Sequence, residues 1–317
     1  MAELLTLGDI ETAAEVIDGV VHRTPVLRSE SVDGIVGAEV HLKAEHLQKT
    51  GSFKARGATN KITSLTAAER AAGIVAVSSG NHAAAVAFTA RRLGCDATIV
   101  MPADAPELKL RATRGYGATV ITYDRATGDR EAIAQQHIAE HGGTLVHPFD
   151  DPVVMAGQGT VALELHSQAT LDVVLVPMSG GGLMAGCAVA TASLRPDCRL
   201  VGVEPDGAAD SFASLAAGTR QKVDAPHSIA DGLLVATPGE ITFPINQELV
   251  DEVVTVSDAQ IARAMCLLFE RTKQVVEPSG AVGMAALLDG HDFGGQRVGV
   301  VLSGGNVGPE PFARLVG

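Results

Sequence analysis

Lys54 sits in the stretch Thr50-Gly51-Ser52-Phe53-Lys54-Ala55-Arg56-Gly57-Ala58. Small, turn-forming residues lead into the lysine and small residues lead out. An amine that a site keeps partly neutral can form a Schiff base or take a proton. A lysine taken at random is a solvated surface residue, so Lys54 needs partners elsewhere in the chain. Three stretches offer them. Ser179-Gly180-Gly181-Gly182-Leu183 places three glycines where a strand gives way to a helix, which can aim several N–H groups at one anion such as a phosphate. Its spacing is neither the dinucleotide fingerprint nor the P-loop. Ser78-Ser79-Gly80-Asn81-His82 has the same architecture with polar side chains; its N–H groups suit a carboxylate, and Asn81 suits a ring oxygen. Ser303-Gly304-Gly305-Asn306 ends the last strand, where a hydroxyl can face a heterocyclic nitrogen. Taken singly, each of these is also what an ordinary tight turn or helix cap looks like.

Short apolar strands followed by helical patterns must position these stretches. Ile74 to Val77 is a buried strand that leads through Ser78–His82 into a small-residue helix, Ala83 to Leu93, closed by Arg91, Arg92 and Gly94. Ala97–Met101, Ala118–Tyr123 and Thr144–Val146 are further strands; Asp104 and Pro106 open a helix toward Arg114, and another runs from Asp129 to Glu140. Asp151-Pro152 opens a helix through His166. Val173–Pro177 precedes the three glycines and a helix from Leu183 to Leu194, and Leu200–Val203 is the next strand. Ser257 and Asp258 cap a helix over Ala259–Thr272, Pro278 opens one to Leu288, and Val298–Leu302 is the last strand. Upstream, Ile10, Ala13, Ala14 and Ile17 mark a helix that Pro25 ends, and Glu39–Glu45 alternates as a strand. Such alternation implies open α/β sheets, which bind ligands at the C-terminal ends of their strands.

Composition narrows the function classes. The chain has 317 residues, room for one large or two ordinary domains. Its net charge of −13, with no basic run, makes it a poor general binder of nucleic acid or anionic membrane. No long apolar stretch spans a membrane and the N-terminus does not read as a signal peptide. Cys95, Cys187, Cys198 and Cys266 have no metal-type spacing and read as reduced thiols of a cytoplasmic protein. No linker or internal repeat stands out, and with so few residues after the last strand a regulatory domain is not expected.

Gly51-Ser52-Phe53-Lys54-Ala55-Arg56-Gly57-Ala58 resembles the lysine motif of the fold-type II pyridoxal-phosphate enzymes, in the branch of serine/threonine dehydratases (threonine ammonia-lyases) and serine racemases. The likeness runs over nearly the whole chain: Ser78–His82, His147-Pro148-Phe149-Asp150, Ala156–Thr160, Ser179–Leu183, Val276-Glu277-Pro278 and Leu302–Val307 match in order. It implies two open, twisted α/β domains of the tryptophan synthase β type, with the cofactor in the cleft between them. The large domain would span 1–69 and 149–317, with a small inserted domain over 70–148. It implies that Lys54 holds pyridoxal phosphate covalently beside Phe53, that Ser179, Gly180, Gly181, Gly182 and Leu183 bind the phosphate, and that Asn81 bonds the ring hydroxyl oxygen. Ser303 would face the pyridine nitrogen with Glu277 and Gly232 nearby. Ser78, Ser79, Gly80, Asn81 and His82 would grip the substrate carboxylate. Ser179 stands where a loop of four glycines is commonest in the family; its hydroxyl can add a phosphate bond. Glu204, the Ala208 carbonyl and Asp210 match a divalent-cation site of this branch, a set suited to Mg²⁺ or Ca²⁺. Set against the same resemblance, a second metal site and a nucleotide site of mammalian-type racemases are degraded here, at Ala76 and Ala84 for example, and ATP is not expected.

The chemistry implied is β-elimination from L-threonine or L-serine to a 2-oxo acid and ammonia. Lys54 takes the Cα proton. Ser79 lies where racemases of this branch carry the serine that works on the opposite face. Phe149 stands where mammalian-type serine racemases carry a polar amide, and Phe149-Asp150-Asp151-Pro152 resembles bacterial threonine dehydratases. The alternatives are an amino-acid racemase, a β-hydroxyaspartate dehydratase and, in other classes, a non-catalytic sensor of a phosphate ligand or a nicotinamide dehydrogenase. Lys54-Ala55-Arg56 stands where cysteine synthases usually have Lys-Asp-Arg, which disfavours that replacement chemistry. The partners implied are a small β-hydroxy amino acid and a second copy of the chain in a homodimer.

Overall fold

Two sheets carry the fold, one nested in the sequence of the other. The computed structural model describes residues 5–78, 80–105, 107–124, 127–288 and 293–317. Among them, β1 (Val26–Leu27), β2 (Glu39–Lys43), β7 (Val173–Pro177), β8 (Arg199–Pro205), β9 (Glu252–Val256) and β10 (Arg297–Val301) form a six-stranded sheet in the order β1-β2-β10-β7-β8-β9. Only β1 is antiparallel to its neighbour. Between β2 and β7 the chain builds a second, fully parallel sheet from β3 (Ile74–Val77), β4 (Ala97–Pro102), β5 (Thr119–Tyr123) and β6 (Thr144–Leu145), in the order β5-β4-β3-β6. The expected α/β class with two open sheets is what the backbone adopts.

The strand sequences account for the layers. Side chains alternate across a strand, and β7 shows both faces buried. Val173 and Leu175 join the core under the helices Asp258–Thr272 and Pro278–Leu288. Val174 and Val176 join the core on the opposite face, under Leu7–Ile17, Pro152–Gln168 and Gly182–Leu194. A strand buried on both sides needs an unbroken apolar run, and Val-Val-Leu-Val supplies it. The small sheet has its own core, which also takes Ala58 and Ile62 from the helix Lys54–Ser64 and Val154 from Pro152–Gln168.

Most expected elements stand within a residue or two of where the pattern put them. The first helix departs: it stops at Ile17, well before Pro25, because Asp18 leaves the helical region and Gly19 turns left-handed at φ 67°. Six helices (Glu30–Val36, Lys54–Ser64, Ala67–Ala71, Asp210–Ala217, Thr242–Leu249 and Pro309–Val316), together with β1 and β9, were not expected. The Pro106 helix start lies outside the described residues. Cys95, Cys187, Cys198 and Cys266 are free thiols, and among the described residues no helix is long and apolar enough to cross a membrane.

A buried charge cluster fixes the helix that begins at Lys54. The Arg56 guanidinium, fully buried, donates from Nε to Glu45 Oε2 (2.8 Å) and from Nη2 to Glu45 Oε1 (2.8 Å). It donates from Nη1 to Glu164 Oε1 (2.7 Å) and to Thr160 Oγ1 (3.1 Å). Lys43 Nζ, also buried, donates to Glu164 Oε2 (2.6 Å), Gln168 Oε1 (3.0 Å) and the Thr24 carbonyl (2.8 Å). Burial alone would raise the Glu45 carboxyl; the adjacent guanidinium outweighs it and holds the carboxyl below its ordinary range. Two cations thus balance two carboxylates. Replacing Arg56 with Ala strands Glu45 without a counter-charge and is expected to cost about 3–5 kcal/mol in denaturant unfolding, whereas Arg56→Lys keeps the charge but not the fork and should fall between. A cost under about 1 kcal/mol for Arg56→Ala would show that the cluster does not hold the fold.

Candidate active site

The lysine turn and the loop after β10 are stitched together. Ser52 bridges Gly304, Phe53 N donates to the Ser303 carbonyl (3.1 Å), and Gly305 N donates to the Gly51 carbonyl (2.9 Å). Lys54 and Ser303 therefore meet although nearly the whole chain separates them. Lys54 opens its helix and directs Nζ across the cleft to the Pro148 carbonyl at 2.7 Å, with the Phe53 ring centroid 5.1 Å from the amine. The residue borders the cleft and is only partly buried, yet protein crowds its amine enough to push the pKa down to about 8 by desolvation.

The three glycines after β7 form a cradle whose carbonyls are already engaged from behind. Thr242 Oγ1 and Gly239 N donate to the Gly180 carbonyl (2.6 and 3.2 Å), Asn246 Nδ2 to the Gly181 carbonyl (3.2 Å), and Ser211 Oγ to the Ser179 carbonyl (3.1 Å). With the carbonyls held, the N–H edges of the same peptides remain for a ligand. Gly181 is left-handed at φ 93°, and a Cβ there would lie 2.5 Å from Asn246 Nδ2. A Cβ on Gly180 would lie 2.6 Å from the Phe149 ring, and one on Gly182 2.7 Å from the Phe149 carbonyl. Only glycine fits between these walls. Ser179 Oγ is buried without a hydrogen-bond partner, an orphan that a phosphate oxygen would satisfy. The helix Gly182–Leu194, with Leu183 in its first turn, points its positive end at the cradle. The residues present therefore fit a phosphate-bearing cofactor that reacts with an amine.

At the other end of the cleft, Ser303 Oγ donates to the Ser279 carbonyl at 3.4 Å, and Gly232 N donates to Ser279 Oγ at 2.9 Å. Ser279 links Ser303 and Gly232, and was not singled out in the sequence. Glu277 is buried and accepts from Asn81 Nδ2 at 2.6 Å. Burial pushes its pKa up to about 7; the nearby Lys109 charge works the other way. Gly80 and Asn81 start the helix Asn81–Leu93, whose first-turn N–H groups have no intrahelical acceptor. Gly80 N donates to Ser78 Oγ (3.2 Å). The His82 ring turns away into the small unit, with Nε2 2.9 Å from the Val146 carbonyl, and burial pushes its pKa down to about 3. One ring nitrogen thus has a structural contact, while Nδ1 is buried without a hydrogen-bond partner. His147 Nδ1 accepts from Asp150 N (2.8 Å) and Phe149 N (3.3 Å), shaping the turn that presents Phe149.

Phe53, Lys54, Ser78, Gly80–His82, Ser179–Leu183, Gly232, Glu277 and Ser303 all line one cleft of about 800 Å³. Ser79 lies outside the described residues. Glu204, Ala208 and Asp210 sit apart from the cleft lining, at the end of β8. Both carboxylates are fully buried. Glu204 accepts from Ser211 N (3.2 Å) and Phe212 N (2.8 Å), while both Asp210 oxygens lack a hydrogen-bond partner. Burial, then the Asp210 charge, raises Glu204 above the usual carboxylate range, and burial raises Asp210. Among the described residues no group of three or more His, Cys, Asp or Glu is placed to hold a metal.

Sequence reading missed the helix Thr242–Leu249, which holds the glycine cradle. Its N-terminus is capped from far away: Asp150 accepts from Glu240 N (2.9 Å), Ile241 N (2.8 Å) and Thr242 N (3.1 Å). Thr242 and Asn246, four apart and so on one helix face, were the available signal.

A protein-family model described as "Pyridoxal-phosphate dependent enzyme" matches residues 17–304. The chain is 48% identical to an L-threo-3-hydroxyaspartate ammonia-lyase of a Pseudomonas species, over 99% of both chains. It is 42% identical to an L-threonine ammonia-lyase of Thermotoga maritima, over 99% of this chain and 78% of the relative. The structure of maize serine racemase superposes with a TM-score of 0.94 at 40% identity, covering 98% of this chain and 96% of that one.

The lowered pKa of Lys54 has a direct readout. Burial penalises the cation, so the neutral amine accumulates as pH rises through about 8. In cofactor-free protein, labelling of Lys54 by an amine-specific reagent, followed by mass spectrometry, should reach half its maximum near that pH. Exposed lysines should follow a midpoint above about 10. A Lys54 midpoint matching theirs would remove the electrostatic argument.

Proposed function

The chain belongs to the pyridoxal-phosphate dependent enzymes, and on that premise we propose that it eliminates water from a small β-hydroxy amino acid, L-threonine or L-serine, giving a 2-oxo acid and ammonia. The observation that carries this reading is the meeting of a lysine of lowered pKa, a glycine cradle with its carbonyls engaged from behind, and the Ser303 hydroxyl in one cleft. Pyridoxal phosphate, when bound, supplies an aldehyde that condenses with amines and a conjugated ring that spreads the charge left at Cα. Lys54 would hold it beside Phe53, Ser179–Leu183 would hold its phosphate, Asn81 its ring oxygen, and Ser303 its ring nitrogen, with Gly232 and Glu277 beside that end.

The chain's own groups then divide the work. Lys54, once its amine is free, takes the Cα proton of the substrate, which its lowered pKa suits. The first-turn N–H groups of the helix Asn81–Leu93, with Ser78 and Gly80, orient the substrate carboxylate. Ser303 is a neutral hydroxyl, so it does not force a proton onto a ring nitrogen, and charge at Cα stays short-lived; this favours prompt loss of the β-hydroxyl. The released enamine tautomerises and takes up water, so the water lost in elimination is regained as ammonia leaves. Ser79 would handle a proton on the opposite face.

Two supports bear on the alternatives. The Phe149 ring beside Gly180 gives the cleft an apolar wall, in favour of elimination over racemisation. Lys109, ion-paired with Asp231, and Arg130, ion-paired with Glu131, line the same cleft, and the hydroxyaspartate-cleaving relative supports a dicarboxylic β-hydroxy substrate, which would compete for these cations, as the second reading. A panel of L-threonine, L-serine and L-threo-3-hydroxyaspartate, read by 2-oxo acid formation and chiral analysis of the remaining amino acid, separates these. Lys54→Ala should abolish 2-oxo acid formation and the visible absorbance of the bound cofactor. Full activity in that variant without added amines would sink the proposal.

The reading includes a division into 1–69 with 149–317 and an inserted 70–148, supported by the nesting of the two sheets. A homodimer rests on the family likeness, and a cytoplasmic setting on the four free thiols. It also includes Mg²⁺ or Ca²⁺ at Glu204, Asp210 and the Ala208 carbonyl; the partnerless Asp210 oxygens support this. Mg²⁺ or Ca²⁺ at a hundredfold excess over Kd should then stabilise the fold by about 2.7 kcal/mol, read as a rise in melting temperature. The rise should vanish in Asp210→Asn. Identical melting in Mg²⁺ and in chelator would remove the metal.

A further inference from the structure

A chain of side-chain hydrogen bonds runs from the lysine turn to Glu277, and a group that can only accept sets its direction. Asn306 Nδ2 donates to the Thr50 carbonyl at 2.7 Å. The same Nδ2 donates to Asn81 Oδ1 at 2.7 Å. Asn81 Nδ2 donates to Glu277 Oε1 at 2.6 Å. A carboxamide has the same shape in both orientations, so its partners decide which end points where. The Thr50 carbonyl has no hydrogen to give; Asn306 must turn its NH2 toward it. The second hydrogen of that NH2 requires an oxygen from Asn81. Asn81 is then left with its own NH2 toward Glu277 and the cleft.

The backbone is built around Asn306. Thr50, which is not glycine, is left-handed at φ 60°, and Gly51 follows at φ 75°. A Cβ on Gly51 would collide with the Asn306 carboxamide. A left-handed threonine is costly and persists where its surroundings hold it; the bond from Asn306 to the Thr50 carbonyl is one such hold. Asn306 also joins three segments: the turn into Lys54, the first residue of the helix Asn81–Leu93, and the loop after β10.

We infer that Asn306 is a positioning residue that locks the Asn81 carboxamide with its N–H, rather than its oxygen, toward the cofactor's ring oxygen. The inference rests on pyridoxal phosphate seated with Asn81 at that oxygen, as proposed above. A donor there favours the form in which the ring oxygen is ionised and the chromophore absorbs in the visible. An amide oxygen turned to the same place favours the form that keeps a proton on the ring oxygen and absorbs in the near ultraviolet.

The test compares wild type, Asn306→Asp, Asn306→Ala, Asn81→Ala and the double alanine variant, each loaded with pyridoxal phosphate and without substrate. Asn306→Asp keeps the shape that fills the space beside Gly51 but has no hydrogen for Thr50 or Asn81. Both Asn306 variants should lose several-fold in the ratio of visible to near-ultraviolet absorbance and bind the cofactor about tenfold more weakly. In the Asn81→Ala background, Asn306→Ala should change the ratio little, because the amide it orients is gone. A wild-type ratio in both Asn306 variants, even with a lowered melting temperature, overturns the inference and leaves Asn306 a purely structural residue. Additive effects in the double variant overturn it too. Failure of the wild-type protein to form a Lys54-linked chromophore would instead refute the cofactor reading on which the inference rests.

Discussion

The placement of Lys54 depends on a charge that has no access to water. Arg56 lies two residues on, on the same helix, with its guanidinium shared between Glu45 and Glu164. A buried guanidinium is costly unless every donor finds a partner, so the ends of the cluster have little freedom to slide. Glu45 follows β2 and Glu164 lies in Pro152–Gln168. The cluster therefore pins the lysine helix to the large sheet and to the helix that covers it. Salt bridges of this kind are weak arguments for net stability and stronger ones for geometry. Here the geometry concerns an amine that must reach across a cleft.

The same logic of support from behind recurs around the glycine cradle. The groups that would touch a ligand are backbone N–H groups, and these point correctly because side chains elsewhere hold the carbonyls. Ser211, Thr242 and Asn246 do this from two helices, and Asp150 fixes the start of one of them. Ser211 also gives its N–H to Glu204, so the acidic pair and the cradle share one residue. Preorganisation by such supporting groups is what keeps a binding geometry from relaxing when the ligand leaves.

Much of this was legible in the chain. Apart from β1 and β9, the described strands of both sheets were marked by apolar or alternating runs between turn residues, and the glycine and serine turns fell where such sheets bind ligands. Lys54, Asn81, Ser179–Gly182 and Ser303 were visible because each sits in a local pattern with a chemical meaning. What escaped was held by distant partners. The helix Thr242–Leu249 has no cap of its own, and its cap, Asp150, lies far upstream. Ser279 is an ordinary helical serine until Gly232 and Ser303 meet it. Asn306 was one residue of a turn; only Thr50 and Asn81 give it a direction. His82 lines the cleft, but the contact of its ring nitrogen with the distant Val146 carbonyl had no local signal.

β10 lies inside the large sheet, between β2 and β7, although it comes last in sequence among the described strands. Until it emerges from the ribosome, β2 and β7 each present an unpaired edge and the sheet has a gap at its middle. Such edges invite wrong pairings and are what chaperones shield. The same late segment carries Ser303 and the loop that bonds Gly51 and Thr50. A nascent chain can thus fold its small sheet early, yet it gains a competent lysine site only once the segment that carries Ser303 has been made. A product that stops before Arg297 lacks the strand that closes both the sheet and the site.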